Sequence, residues 1–111
     1  MLYVLQNIDT GRNEIYDCKY YEMEKAVNGY LQELRNCILQ GTTEENRFDI
    51  FAVPEQVYGL YSTGLNLSRS YGWEEVMGNG NGIVRYTEAD IARLLGKHTR
   101  EEVIQTLRQI L

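Results

Sequence analysis

The sequence predicts a single α+β domain over residues 1–111, with a small mixed sheet of about four strands, one long helix and a C-terminal helical hairpin. Near the N-terminus, apolar and polar residues alternate as they do in strands. In two later stretches, 19–40 and 87–111, apolar residues recur at helical spacing. Hairpin strands that are followed by grouped helices are typical of the α+β class rather than of a doubly wound sheet.

The first part of the chain predicts a β-hairpin followed by the long helix. Strands are expected at residues 2–8 and 14–18, because both runs alternate and a glycine-containing loop separates them. A continuous apolar stripe predicts a helix over residues 19–40. Asp17 is the expected N-cap of this helix, and Gly41 is the expected left-handed residue that ends it.

The second part of the chain predicts a buried strand, an ambiguous segment and two helices. Residues 47–53 carry apolar side chains on both faces and should form a central strand, which Pro54 ends because proline cannot donate to a strand ladder. Residues 54–77 leave helix and strand open. The remaining predicted elements are a short strand at 83–86 and two helices that begin after Thr87 and Thr99.

The charge balance argues against nucleic-acid and membrane partners. The chain has 11 Lys and Arg against 16 Asp and Glu, a net charge of −5. Phosphate backbones and anionic membranes are bound mainly through lysine and arginine. No apolar run approaches the roughly 20 residues that span a bilayer, and the N-terminus lacks the features of a secretory signal. We therefore expect a cytoplasmic protein that makes no membrane contact.

Candidate catalytic and metal-binding groups are few. His98 is the only histidine, which excludes a site with two histidine ligands. Cys18 and Cys37 do not have the spacing of a metal motif, and Cys37 lies on the apolar stripe of the long helix. The glycine-rich run 78–82 precedes a strand rather than a helix, unlike a phosphate-binding loop. We expect no catalytic activity, no cofactor and no metal.

Aromatic residues are concentrated in the ambiguous segment. The chain has nine tyrosines, and rigid aromatics among small polar residues are typical of protein-binding loops. The alternative is that these rings pack over the sheet. The predicted protein-contact residues are Glu55, Tyr58, Tyr61, Tyr71, Trp73, Glu74 and Glu75. The acids among them favour a partner with a basic surface.

Taken together, these features predict a small, acidic, non-catalytic protein that acts by protein–protein contact. Small acidic inhibitors from phages and mobile elements, which block nucleic-acid-binding enzymes of their hosts, are similar in size and sign of charge. Such an inhibitor is the leading hypothesis. Self-association across a two-fold axis, through the long helix or the edge of the hairpin, is left open.

The C-terminal helix pair carries the alternative hypothesis, a DNA-binding regulator. Residues 91–104 resemble a helix-turn-helix, with a small alanine in the first helix, Gly96 at the turn and a threonine-capped second helix. The candidate DNA contacts are Lys97, Thr99, Arg100 and Arg108. Glu102 occupies the position where that motif buries a β-branched residue. With Glu101 beside it, Glu102 would place two carboxylates against phosphates.

Overall fold

The computed structural model describes residues 1–9, 19–62, 73 and 80–111, and it confirms the α+β class. This part of the chain contains four strands and four helices. The strands are β1 (Leu2–Asn7), β2 (Lys19–Tyr20), β3 (Phe48–Val53) and β4 (Val84–Tyr86). The helices are α1 (Met23–Gln40), α2 (Glu55–Ser62), α3 (Glu88–Leu94) and α4 (Arg100–Ile110). None of these helices is long and apolar enough to cross a membrane.

The four described strands form one sheet in the order β2-β1-β3-β4. All three neighbouring pairs are antiparallel, whereas the sequence pattern predicted a mixed sheet. The arrangement arises because α1 carries the chain from β2 across the sheet to the other side of β1. All six residues of β3 are buried, which confirms the prediction of a central strand.

The helix α1 begins later than its apolar spacing predicts. Tyr20 pairs with β1 as part of β2, so the helix starts at Met23, four residues after the predicted start. Helical periodicity alone cannot detect this, because Tyr20 suits a strand as well as an apolar helical stripe. The N-cap is Glu22, whose side chain makes no capping bond. Asp17 and the predicted strand 14–18 lie outside the described residues.

Two glycines have specific backbone roles, one directly after α1 and one within it. Gly41 adopts a left-handed conformation with φ of 72° and donates its N–H to the carbonyl of Ile38, which confirms the predicted helix end. Gly29 lies against the ring of Tyr20. A Cβ at this position would come within 2.6 Å of the Tyr20 Cζ atom. An alanine at this position would therefore force the Tyr20 ring to shift.

The described residues of the ambiguous segment 54–77 include a helix. Pro54 is followed directly by α2, which matches the preference for proline at a helix start. Trp73 is also helical, and residues 63–72 and 74–77 of this segment lie outside the described part. Both C-terminal helices are confirmed with their caps. Thr87 and Asp90 form a reciprocal capping box, and the Thr99 hydroxyl accepts from the Glu102 N–H at 3.2 Å.

Each face of the sheet carries its own hydrophobic core. On one face Leu5 and Ile50 pack with α1, α3 and α4. On the other face Val4 and Phe51 pack with Tyr58 of α2 and with Trp73. Side chains of neighbouring residues in a strand alternate between faces, so the two cores share β1 and β3. The helices are thereby layered on both sides of the sheet.

Candidate protein-contact site

Two of the predicted contact aromatics lie inside the protein. Tyr58 is 7% exposed and Trp73 is fully buried. Their rings stack with centroids 5.6 Å apart and an angle of 19° between their planes. The backbone N–H of Trp73 also donates to the Gln6 side-chain oxygen at 3.1 Å. These two rings pack over the sheet, which is the alternative that the sequence left open for them.

The other predicted members of this surface are described only in part. Glu55 is exposed in the first turn of α2. Tyr71, Glu74 and Glu75 lie outside the described residues, as does the side chain of Tyr61. Within the described part of the chain, Glu55 is therefore the only residue of the predicted set that lies at the surface.

A buried carboxylate lies on the side of the sheet that packs against α1, α3 and α4. Glu88, in the first turn of α3, is 7% exposed. Its carboxylate accepts from the hydroxyl of Tyr30 in α1 and from the Phe48 N–H at the start of β3, at 3.3 Å. It also accepts from the Arg100 Nε at 2.9 and 3.0 Å. One side chain thus joins α1, α3, α4 and β3.

Burial shifts the titration of this group and of its phenol neighbour. Burial raises the pKa of Glu88 above its usual range, and hydrogen bonds from Tyr30 and Arg100 oppose that rise. Burial, together with the charge of Glu88, also raises the pKa of Tyr30. The phenol therefore stays protonated and donates to the carboxylate.

Arg100 connects this carboxylate to the α1–β3 loop, residues 42–46. Its side chain is only 15% exposed. Besides its contact with Glu88, its Nη2 donates to the backbone carbonyls of Thr43 at 2.6 Å and Asn46 at 3.1 Å. Multiple hydrogen bonds from one charged donor fix geometry strongly. The guanidinium is thus directed into the protein, and its charge is offset by Glu88.

Three exposed acids belong to the two segments that Arg100 connects, the loop and the first turn of α4. Glu44 and Glu45 are exposed and lie between the two carbonyls that Arg100 holds. Glu101, on the first turn of α4, is 68% exposed, and its Oε1 lies 4.0 Å from the Arg100 Nη1. We call Glu44, Glu45 and Glu101 the acidic surface. Sequence reasoning did not select it, because the contact between loop and helix is made by residues more than fifty positions apart.

Other arginines are also paired within the protein. The pairs are Arg47 with Asp9 at 2.6 Å, Arg85 with Asp49 at 2.6 Å, Arg93 with Asp90 at 2.7 Å and Arg100 with Glu88 at 2.9 Å. Among the described residues, these four arginines are therefore offset by acids within the fold. Because each pair is neutral, the charge of −5 comes from acids outside these pairs.

The residues of the DNA-binding alternative occupy different environments. Arg100 is the internal residue described above, and Thr99 caps α4. Lys97 is half-buried and Arg108 is exposed. The helix pair itself is present, but the guanidinium at the start of its second helix is engaged with Glu88 and the loop carbonyls.

The described residues contain no group of three or more histidine, cysteine, aspartate or glutamate side chains arranged to hold a metal ion. Cys37 is buried with a free thiol, and burial raises its pKa. Comparison with family models, with curated proteins and with solved structures gave no match. The geometry of the chain itself is therefore the basis for a functional proposal.

Proposed function

We propose that this chain is a small, non-catalytic, acidic binding protein whose partner is a protein with a basic surface. The observation that supports this is the acidic surface, in which Glu44, Glu45 and Glu101 are exposed while the neighbouring Arg100 is directed inward. A partner would meet the carboxylates of these residues, and the guanidinium would stay paired with Glu88.

The chemistry of this surface favours a particular class of partner. Complementary charge steers association and selects among partners, and it does so most strongly where one sign of charge is concentrated. Basic clefts that bind phosphate backbones are the common protein surfaces of this kind. We therefore propose that the partner is a nucleic-acid-binding enzyme, and that the chain inhibits it by occupying the cleft.

The experiment compares two double charge reversals by affinity capture. One variant is Glu45→Lys with Glu101→Lys at the acidic surface. The matched control is Glu22→Lys with Glu24→Lys, which changes the net charge equally but lies at the exposed start of α1. Each protein is immobilised and incubated with lysate of the source cells, and the retained proteins are identified by mass spectrometry.

We expect the wild type and the control to retain a nucleic-acid-binding protein that the Glu45/Glu101 variant loses. Elution of that protein by moderate salt would agree with an electrostatic contact. Retention of the same proteins by all three forms would contradict the proposal. A Glu55→Lys variant in the same experiment tests whether the acid predicted on α2 contributes to the contact.

A further inference from the structure

The guanidinium of Arg100 bridges two segments that are far apart in the chain. Arg100 is the first residue of α4. Its guanidinium donates to the Glu88 carboxylate of α3 and to the carbonyls of Thr43 and Asn46 in the α1–β3 loop. The loop and the first turn of α4 therefore share one largely buried cation. Neither can move away without breaking charge-assisted hydrogen bonds of the other.

We propose that Arg100 makes the α1–β3 loop and α4 a single cooperative unit that opens and closes together. If α4 moved away from the body, the Thr43 and Asn46 carbonyls would lose their charged donor. If the loop opened, the guanidinium would keep Glu88 but lose two of its acceptors. Such coupling is reciprocal, so a ligand that binds either segment also stabilises the other. This inference goes beyond the proposed function and needs no particular partner.

A backbone hydrogen bond within each segment reports whether that segment opens. In the loop, the Glu45 N–H donates to the Thr42 carbonyl at 3.1 Å. In α4, the Val103 N–H donates to the Thr99 carbonyl at 3.3 Å. Neither bond involves Arg100 itself. A change in the hydrogen exchange of either amide therefore reports opening of its segment rather than the direct loss of a bond to the guanidinium.

The test measures amide hydrogen exchange by NMR in the variant Arg100→Lys. A lysine can keep a positive charge beside Glu88, but its compact ammonium lacks the planar fork that reaches the carboxylate and two carbonyls together. We expect the Glu45 amide to exchange about tenfold faster or more, after correction for the change at a core amide such as Ile50. The matched control is Arg93→Lys, because the Arg93–Asp90 pair lies at the surface of α3.

The reciprocal test changes a loop residue and leaves Arg100 in place. Asn46→Ala removes a side chain that donates to the Thr42 carbonyl and accepts from Asn7, but it leaves the Asn46 backbone carbonyl in place. We expect the Val103 amide of α4 to exchange faster in this variant, beyond the change at Ile50. If the Glu45 and Val103 amides change only as much as the core amide in these two variants, the proposal is wrong. The loop variant keeps the Arg100–Glu88 pair, so it gives an answer even if Arg100→Lys fails to fold.

Discussion

Replacement of Arg100 by methionine is expected to be one of the most destabilising single changes in the chain. Methionine keeps much of the length of the side chain but removes the cation and all of its hydrogen bonds. Glu88 would then remain as a buried carboxylate that retains only the hydroxyl of Tyr30 and the N–H of Phe48 as donors among its described contacts. The carbonyls of Thr43 and Asn46 would lose their shared donor at the same time.

The magnitude follows from the burial of both partners. Removing one member of a buried ion pair typically costs about 3–5 kcal/mol, because the other charge is left uncompensated. A domain of this size has a total free energy of unfolding of about 5–15 kcal/mol, so the variant should be marginal but measurable. The double variant Glu88→Gln with Arg100→Met should be less destabilised than the sum of the two single variants, because it contains no unpaired buried charge.

Urea unfolding followed by circular dichroism measures these differences. The control is Arg93→Met, which breaks a pair whose arginine is 65% exposed and should cost less than about 1 kcal/mol. If Arg100→Met unfolds within about 1 kcal/mol of the wild type near pH 7, the guanidinium is not the buried partner of Glu88. That result would remove the basis for the inward orientation of Arg100.

The pH dependence of the same variant has a definite sign. Burial already raises the pKa of Glu88 above its ordinary value of 4.5, and Arg100 opposes that rise, so removal of Arg100 should raise this pKa further. A group whose pKa is higher in the folded than in the unfolded state stabilises the fold. This contribution is complete below the pKa of the unfolded state and is lost as the pH rises through the pKa of the folded state. The deficit of Arg100→Met relative to the wild type should therefore be larger near about pH 7 than near about pH 5. A deficit that grows on acidification would contradict the assignment.

Three further predictions follow from other parts of the fold. Gly29→Ala should be less stable in urea unfolding than the gain of about 1 kcal/mol that alanine brings to a helix would predict, because the new Cβ displaces the Tyr20 ring; a variant that shows the full gain would mean that the Tyr20 ring shifts at no cost. Trp73, the only tryptophan, should emit at short wavelength and resist quenching by iodide, since it is fully buried; emission typical of water would place it at the surface. Labelled double- and single-stranded DNA should show flat fluorescence anisotropy at low salt, where phosphate contacts are strongest, whereas salt-sensitive micromolar binding that is lost in Lys97→Glu with Arg108→Glu would favour the DNA-binding regulator.

Local patterns were sufficient to predict most of the elements. Alternation identified β1, a run with two apolar faces identified the central strand β3, and the threonine caps located the starts of both C-terminal helices. These features depend on residues that lie close together in the sequence. The start of α1 was predicted incorrectly, because pairing of Tyr20 with β1 is a contact between elements that helical periodicity does not contain.

The environments of the predicted contact residues depend on tertiary packing and could not be predicted in the same way. Tyr58 and Trp73 carry the composition of a binding loop, yet the sheet face formed by Val4 and Phe51 requires apolar cover and takes both rings. Composition indicates which residues are suited to a binding surface. It does not state which of them the sheet will bury, because that depends on how the chain crosses the sheet.

The buried ion pair, in contrast, left a signal in the sequence. Glu88 precedes Ile91, Ala92 and Leu95 of the first C-terminal helix at spacings of three, four and seven residues, which is the spacing of one helix face. Arg100 stands in the same relation to the buried residues Val103, Ile104 and Leu107 of the next helix. Glu88 and Arg100 each stand at the start of the apolar stripe of their helix. When the two stripes pack on one core, both charged side chains are drawn toward that core. Each then needs an opposite charge, and the other is the nearest one available.

The same spacing places Arg100 on the inward face of α4, where it pairs with Glu88. A recognition helix presents its N-terminal residues to DNA and buries the residues that follow on its opposite side. In α4 the face that begins with Arg100 is the buried face, and Glu101 and Glu102 occupy the exposed positions of the first turn. A basic residue at the start of a helix therefore indicates a phosphate contact only if it lies off the apolar stripe. By this criterion α4 presents carboxylates at its exposed face, which is the property on which the proposed function rests.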